Sequence, residues 1–178
     1  MFAVSKALRY IAFGLTAGFA ALGGAFIIGE TMTDPGGSMA MALVLSWLAP
    51  MIALCALAFL RPRASVRVLT VTAALVAGFA VIDTVFRVVP RDEVGPVATI
   101  AVFAVSVALG CLGLRAARPA GLLLLLVGVA NLGGGASAMA VSIPALVIGG
   151  LFLLAGRWHS RHTNVGGPVS REATHRRL

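Results

Sequence analysis

Apolar residues fill four long stretches of the chain that contain no charged side chain. The longest covers the 38 residues between Arg118 and Arg157, and three others are at least 20 residues long. A helix needs roughly 20 apolar residues to cross the ~30 Å hydrocarbon core of a bilayer. The pattern therefore predicts an all-α fold, a polytopic transmembrane helical bundle.

Charges and turn-forming residues divide these stretches into spans. The first four are predicted over about 10–29, 38–60, 66–89 and 96–114. The first is longer than the roughly 7 to 15 apolar residues of a signal peptide, so an uncleaved helix is expected. The longest stretch would form a helix of about 57 Å, nearly twice the hydrocarbon thickness. Because the segment 131–137 (NLGGGAS) lies near its centre and is rich in turn formers, we predict two short spans, about 119–130 and 137–155. A re-entrant segment is the alternative for the fifth span.

Basic residues favour six spans, because Arg and Lys prefer the cytoplasmic side of short loops. With six spans, twelve basic residues lie inside: Lys6, Arg9, Arg61, Arg63, Arg67, Arg115, Arg118, Arg157, Arg161, Arg171, Arg176 and Arg177. Only Arg87 and Arg91 lie outside, together with five of the six acids: Glu30, Asp34, Asp83, Asp92 and Glu93. Both termini are then cytoplasmic.

The chain divides into a transmembrane domain, 1–156, and a basic tail, 157–178, that is predicted to be disordered or to lie against anionic headgroups.

Composition agrees with this placement in the lipid bilayer. Hydrophobic residues make up 60% of the chain, charged residues 11%, and the mean hydropathy is +1.01, which leaves too little polar surface for a soluble domain. The net charge of +8 comes from cations that punctuate apolar runs, so nucleic-acid binding is not expected. Thirteen of the fourteen basic residues are Arg, a bias that suggests a high-GC bacterium and hence its inner membrane.

Four polar residues are candidates for a binding or transport site. Asp83 is the one acid within a predicted span, and Arg87 follows it by four residues on the same helical face. An ion pair that anchors the outer end of the third span is the simpler interpretation of these two residues. Glu30 ends the first span, where it belongs either to an acidic rim that attracts cations or to an ordinary solvated surface. Asn131, in the turn of the last hairpin, is a further candidate polar contact.

The first span carries a stripe of small residues suited to close helix packing. It consists of Gly14, Ala17, Gly18 and Ala21. Both another span of this chain and another membrane protein, including a second copy, fit such a face.

The sequence predicts no catalytic centre, metal site or cofactor. The spans contain no histidine and one aspartate, so the groups needed for intramembrane hydrolysis are missing. His159 and His162 have no third ligand nearby. Cys55 and Cys111 are predicted at similar depth near the cytoplasmic ends of their spans, as small buried side chains without a disulfide.

Several features of the first third of the chain occur together: Gly29-Glu30, Asp34-Pro35-Gly36-Gly37, Trp47, Pro50 and Arg61-Pro62. This combination resembles small multi-pass membrane proteins of high-GC actinobacteria, a resemblance that implies an inner-membrane protein and no particular activity. In length, span count and small-residue stripes the chain also resembles the six-span substrate-binding subunits of vitamin importers.

The leading hypothesis is a non-enzymatic accessory or assembly subunit. The alternative is a small-solute or ion transporter, or its membrane-embedded binding subunit.

Overall fold

A computed structural model of the chain describes residues 2–33, 37–86 and 97–163, and the regular structure in these ranges is helical throughout. The prediction of an all-helical fold is confirmed. A short 3₁₀ turn, Leu132–Gly134, joins the last two of six α-helices. The helices are α1 (Phe2–Thr33), α2 (Gly37–Leu60), α3 (Pro62–Phe86), α4 (Val97–Gly113), α5 (Ala117–Ala130) and α6 (Ala136–Thr163).

Each predicted span corresponds to one helix, with the largest differences at the two ends of the chain. Helix α6 continues to Thr163, so residues 157–163 are helical where the sequence predicted the start of a disordered tail. No glycine or proline occurs between Arg157 and Thr163, so nothing in this segment opposes continuation of the helix. Residues 164–178 lie outside the described residues. Pro50 and Pro144 both lie inside helices, α2 and α6 respectively.

Three helices are long and apolar enough to cross a membrane: Val4–Glu30, Pro62–Phe86 and Ala138–Arg157. The other apolar helical stretches are shorter, at Val44–Leu60, Thr99–Gly113 and Ala117–Ala130. The apolar helices therefore fall into two length classes, and the three longer ones suit a membrane crossing by length and composition.

Helix α4 occupies the centre of the bundle. All residues from 102 to 113 are buried, and α4 packs against each of the other five helices. Its sequence has no charged residue and a single hydroxyl in this stretch, Ser106, so it can lose contact with both water and lipid on all sides. The other helices are arranged around it.

Contacts at two depths show how the neighbours run relative to α4. Thr16 of α1 packs against Gly110 of α4, and Gly23 of α1 packs against Phe103 of α4. Moving seven residues forward along α1 therefore moves the contact seven residues backward along α4, so these helices are antiparallel. In α2, Trp47 meets Phe103 with ring centroids 6.2 Å apart. Eight residues further along each helix, Cys55 and Cys111 both belong to the apolar core, the placement that parallel helices give them.

The last two helices form a tightly packed hairpin. A Cβ atom placed on Gly121 would lie 2.8 Å from the backbone oxygen of Gly149 and 2.9 Å from the backbone nitrogen of Leu153. Gly128 faces Leu146 in the same manner, and Gly156 faces Arg118. Glycine lets the two backbones approach closely, which is how apolar helices gain contact when lipid supplies no hydrophobic drive for association.

The described charges separate between the two ends of the bundle. Ser5 donates a hydrogen bond to the carbonyl of Ala155, which joins the start of α1 to the last third of α6. This end carries the described basic residues, Lys6, Arg9, Arg61, Arg63, Arg67, Arg115, Arg118 and Arg157, whereas the described acids, Glu30 and Asp83, lie towards the opposite end. The described charges thus separate by sign, and the assignment of the basic end to the cytoplasm stays a prediction.

The hairpin contact can be tested with a pair of glycine substitutions. We expect Gly121→Ala to destabilise the protein by about 1 to 3 kcal/mol, because the added methyl group meets backbone atoms that cannot rotate away. Gly150→Ala is the matched control: nothing lies within 4 Å of a Cβ atom there, and alanine favours the helix. Thermal unfolding of both variants in the same detergent measures the difference. Equal midpoints for the two variants would contradict the close packing.

Candidate functional site

The side chain of Asn131 closes the α5–α6 hairpin. Its Nδ2 donates to the carbonyl oxygen of Ala138 and to Oγ of Ser142, each at 3.3 Å. Its backbone N–H donates to the carbonyl of Val127 at 3.2 Å and so completes the last turn of α5. Only 2% of Asn131 is exposed. Both amide hydrogens are therefore used within the chain, and the residue positions the turn.

The turn itself depends on glycine at two places. Gly135 has φ +93°, a left-handed conformation that disfavours other residues, and it directs the chain into α6. A Cβ atom on Gly133 would collide with the side chain of Thr84, so the turn rests directly against the outer end of α3. We call the place where Thr84 meets Gly133 the outer corner, after the predicted topology. Asp83 immediately precedes Thr84, and Asn131 lies two residues before Gly133.

Two of the predicted polar candidates, Asp83 and Asn131, thus belong to the same corner. Asp83 is half-buried there. Arg87 lies outside the described residues, so its ion pair with Asp83 stays a prediction. Glu30 is exposed at the outer end of α1. Helix α1 packs against α2, α4 and α6, whereas α3, which carries Asp83, packs against α2, α4 and α5. The structure does not bring Glu30 into the outer corner.

The small-residue stripe of α1 faces away from the rest of the described chain. All four of its residues are exposed, and a Cβ atom on Gly14 or Gly18 would have nothing within 4 Å. The sequence left two partners open for this stripe: another span of this chain, or another membrane protein. Within the described chain, no other span contacts it. The glycines that do mediate packing, which sequence reasoning did not select, are Gly23, Gly110, Gly113, Gly121, Gly128, Gly133, Gly149 and Gly156.

The interior hydroxyl groups mostly bond to helix backbone. Thr16 Oγ1 donates to the carbonyl of Ala12 at 2.9 Å while its side chain packs against Gly110. Ser65 Oγ donates to the carbonyl of Pro62 at 2.9 Å. Ser106 differs, because its hydroxyl is buried in the central helix and has no hydrogen-bond partner within the described chain. Arg9 Nε is the other buried side-chain atom without such a partner. The remaining buried polar side chains, among them Ser5 and Asn131, hydrogen-bond within the described chain.

Potential ligand-binding features of the described residues are shallow or incomplete. No group of three or more His, Cys, Asp and Glu side chains gathers there in a way that suits a metal ion. Two surface depressions lie along the first turns of α3, one lined by Arg61, Pro62, Arg63 and Ala64 and the other by Arg67, Val68, Val71 and Thr72. The side chains of His159 and His162 lie outside the described residues.

No family model, curated protein or solved structure matches this chain. Its function is therefore argued from its own geometry.

The hairpin network gives a prediction with an internal control. Ser142→Ala and Ser106→Ala make the same change at two serines that are 0% and 3% exposed, but only Ser142 has a hydrogen-bond partner. We expect Ser142→Ala to lower the free energy of unfolding by about 1 kcal/mol, and Asn131→Ala, which removes two bonds, to lower it roughly twice as much. Ser106→Ala should leave it unchanged or raise it, because it removes a buried group without a partner. Unfolding titrations in mixed micelles measure all three. A larger loss at Ser106 than at Ser142 would contradict this assignment.

Proposed function

We propose that this protein is a non-enzymatic accessory or assembly subunit of a bacterial inner membrane, with six membrane crossings and both termini in the cytoplasm. The observation that carries the proposal is the burial of α4. A helix with apolar side chains fills the centre of the bundle, where a carrier would place a polar pathway.

The distribution of polar groups supports the same role. Substrate and ion sites in secondary transporters lie near the midplane and use broken helices, with free backbone groups that face the substrate. In this bundle α4 is continuous from Val97 to Gly113, and the side-chain amide of Asn131 is used to close a turn. The described charged residues lie towards the ends of the helices. These features suit a protein that acts by contact with other proteins.

The alternating directions of the helices support six crossings. Helix α5, with 14 residues, is about 21 Å long and therefore shorter than the hydrocarbon core. Its long packing contact with α6, through Gly121 and Gly128, pairs it with a helix of crossing length. A short helix held in this way is accommodated by local thinning of the bilayer. We therefore propose that α5 crosses fully and is not re-entrant.

Helix α1 offers the surface for association. Of the three long apolar helices it is the least covered, with 11% of its most apolar window buried, against 22% in α3 and 39% in α6. The exposed stripe of Gly14, Ala17, Gly18 and Ala21 permits close backbone approach by another transmembrane helix. We propose this face as the contact with a membrane-protein partner, which a second copy of the chain would also satisfy.

The proposed topology makes a prediction for reporter fusions. Green fluorescent protein fused after Leu178 should fluoresce in bacterial cells, whereas alkaline phosphatase at the same position should be inactive, because both termini are proposed to be cytoplasmic. Phosphatase fused within the α5–α6 turn, after Gly134, should be active. An inactive fusion at that turn, with normal expression, would favour the re-entrant alternative.

The proposed association face predicts a specific loss of partner binding. Gly18→Leu should weaken association roughly tenfold, the equivalent of about 1.4 kcal/mol, because leucine holds the partner helix away from the α1 backbone. Gly29→Leu is the control, since Gly29 is also exposed and open but lies about 16 Å farther along the helix. Mass spectrometry of protein extracted in native lipid particles measures the partner that is recovered with each variant.

Two outcomes of that experiment contradict the proposal. One is recovery of the wild-type protein alone and monomeric, and the other is recovery of a defined small molecule in place of a protein. The second outcome favours the carrier alternative. It would be followed by Asp83→Asn in reconstituted vesicles, where loss of flux by a folded variant assigns the carrier function to the outer corner.

A further inference from the structure

Three helices meet at the basic end of the bundle. The hydroxyl of Ser5 donates to the carbonyl of Ala155 at 3.2 Å, which places the start of α1 against α6. A Cβ atom on Gly156 would lie 2.6 Å from Cγ of Arg118 and 3.3 Å from its backbone nitrogen, which places the start of α5 against the same turn of α6. Two consecutive residues of α6 thus contact the two other helices at one level of the bundle.

Four cationic side chains lie within a few residues of these contacts. They are Lys6 and Arg9 of α1, Arg118 of α5 and Arg157 of α6, and we call them the basic junction. All but Arg9 are exposed. The described acids, Glu30 and Asp83, lie towards the opposite end of the bundle. No described carboxylate at this end therefore offsets the mutual repulsion of the four cations.

Arg9 differs from the other three because it starts on the inward face of α1. Ser5 and Ala12, four residues before it and three residues after it, are both buried, and side chains at these spacings share one face of a helix. Arg9 is half-buried, and its Nε has no hydrogen-bond partner in the described chain. A guanidinium group that is partly withdrawn from water in this way is stabilised by an anion that accepts from its other donors.

The surroundings of the basic junction suit an anion that carries acyl chains. Basic residues at the ends of membrane helices lie at the level of the lipid headgroups, and the arginine fork matches a phosphate group. Exposed apolar side chains lie deeper along the same helices, Ile11 and Leu15 on α1 and Leu154 on α6. A lipid whose phosphate contacts the junction could lay its chains along these residues, whereas a free phosphate ion gains nothing from them.

We propose that the basic junction binds the phosphate of an anionic phospholipid, with Arg9 as its innermost ligand. The bound lipid offsets the repulsion among cations of three helices, and it joins the two ends of the described chain beside the hydrogen bond between Ser5 and Ala155. The site is separate from the association face proposed for α1, which begins at Gly14. Because the three helices come together only in the folded chain, binding of the lipid stabilises the fold.

The test is native mass spectrometry of the full chain in detergent, titrated with phosphatidylglycerol or with phosphatidylcholine of the same acyl chains. We expect one phosphatidylglycerol molecule to remain bound under conditions that strip phosphatidylcholine. Arg9→Gln combined with Arg118→Gln should weaken phosphatidylglycerol binding roughly thirtyfold, the equivalent of about 1 kcal/mol for each arginine. Arg61→Gln combined with Arg63→Gln is the matched control. It removes the same charge from two exposed residues between α2 and α3, and it should change the binding little.

Thermal unfolding in the same detergent separates loss of lipid binding from loss of folding. Without lipid, the Arg9 and Arg118 double variant should unfold at no lower temperature than the wild type, because it removes repulsion. Phosphatidylglycerol should raise the midpoint of the wild type and of the control, but not that of this variant. The comparison of the two lipids on the wild-type chain alone tests the proposal where a variant does not fold.

Three results overturn the proposal. The first is equal binding of phosphatidylglycerol and phosphatidylcholine by the wild type. The second is an equal loss of binding in both double variants, which would show that only the net charge matters. The third is displacement of phosphatidylglycerol by inorganic phosphate but not by chloride at the same ionic strength, which would assign the site to the free ion.

Discussion

The arrangement of the described bundle depends on the burial of one charge-free helical segment, residues 102–113 of α4. Because this segment is enclosed on every side, each neighbour must find room against its backbone, and the sequence provides that room where side chains are small. Thr16 of α1 approaches at Gly110, and Phe152 of α6 approaches at Gly113. Lipid is as apolar as the helices themselves, so dispersion contacts over these close surfaces supply much of the association energy. A larger residue at either glycine would collide with the side chain packed against it.

Polar groups in this core are few, and their hydrogen bonds are mostly local. Thr16 bonds back to its own helix, and Asn131 bonds across the turn that it begins. Ser5 is the exception, because its hydrogen bond joins residues far apart in the sequence. It runs from α1 to Ala155 of α6 and ties the two ends of the described chain together. With its polar groups used in this way, the interior offers little to a hydrated solute. The surface of α1, in contrast, is left with its glycines uncovered.

The sequence was sufficient to predict the helices, because charge-free runs, prolines and the 131–137 turn mark most of their ends within about four residues. The start of α1 and the end of α6 lie farther out, each eight residues beyond the predicted span. It could not predict which helix is central. Helices α2 and α4 are both strongly apolar, so apolarity does not single out α4, and its burial follows from pairwise packing between distant segments. The stripe on α1 shows the same limit: Gly14 and Gly18 have the spacing typical of a packing face, yet the described chain packs through glycines such as Gly110 and Gly121. A local spacing describes a helix surface but does not identify what covers it.

The candidate site was predictable only in part. Asp83 and Asn131 were selected singly, as polar residues in apolar segments, and their common corner depends on the contact between Thr84 and Gly133. The pairing of Trp47 with Phe103 likewise depends on the relative register of α2 and α4, which no short-range pattern encodes. The helical extension to Thr163 was missed because the prediction ended the helix where the apolar run ends. Helix formation requires satisfied backbone hydrogen bonds, and these continue beyond the lipid-facing segment.

The glycines of the α5–α6 hairpin also share one spacing. Gly121 and Gly128 are seven residues apart, and so are Gly149 and Gly156 on the opposing helix. A straight α-helix with 3.6 residues per turn rotates by about 20° over each such interval, and a sustained seven-residue repeat is the one that left-handed coiling keeps on a single face. The hairpin thus carries, in four glycines, a short segment of the repeat that organises coiled coils.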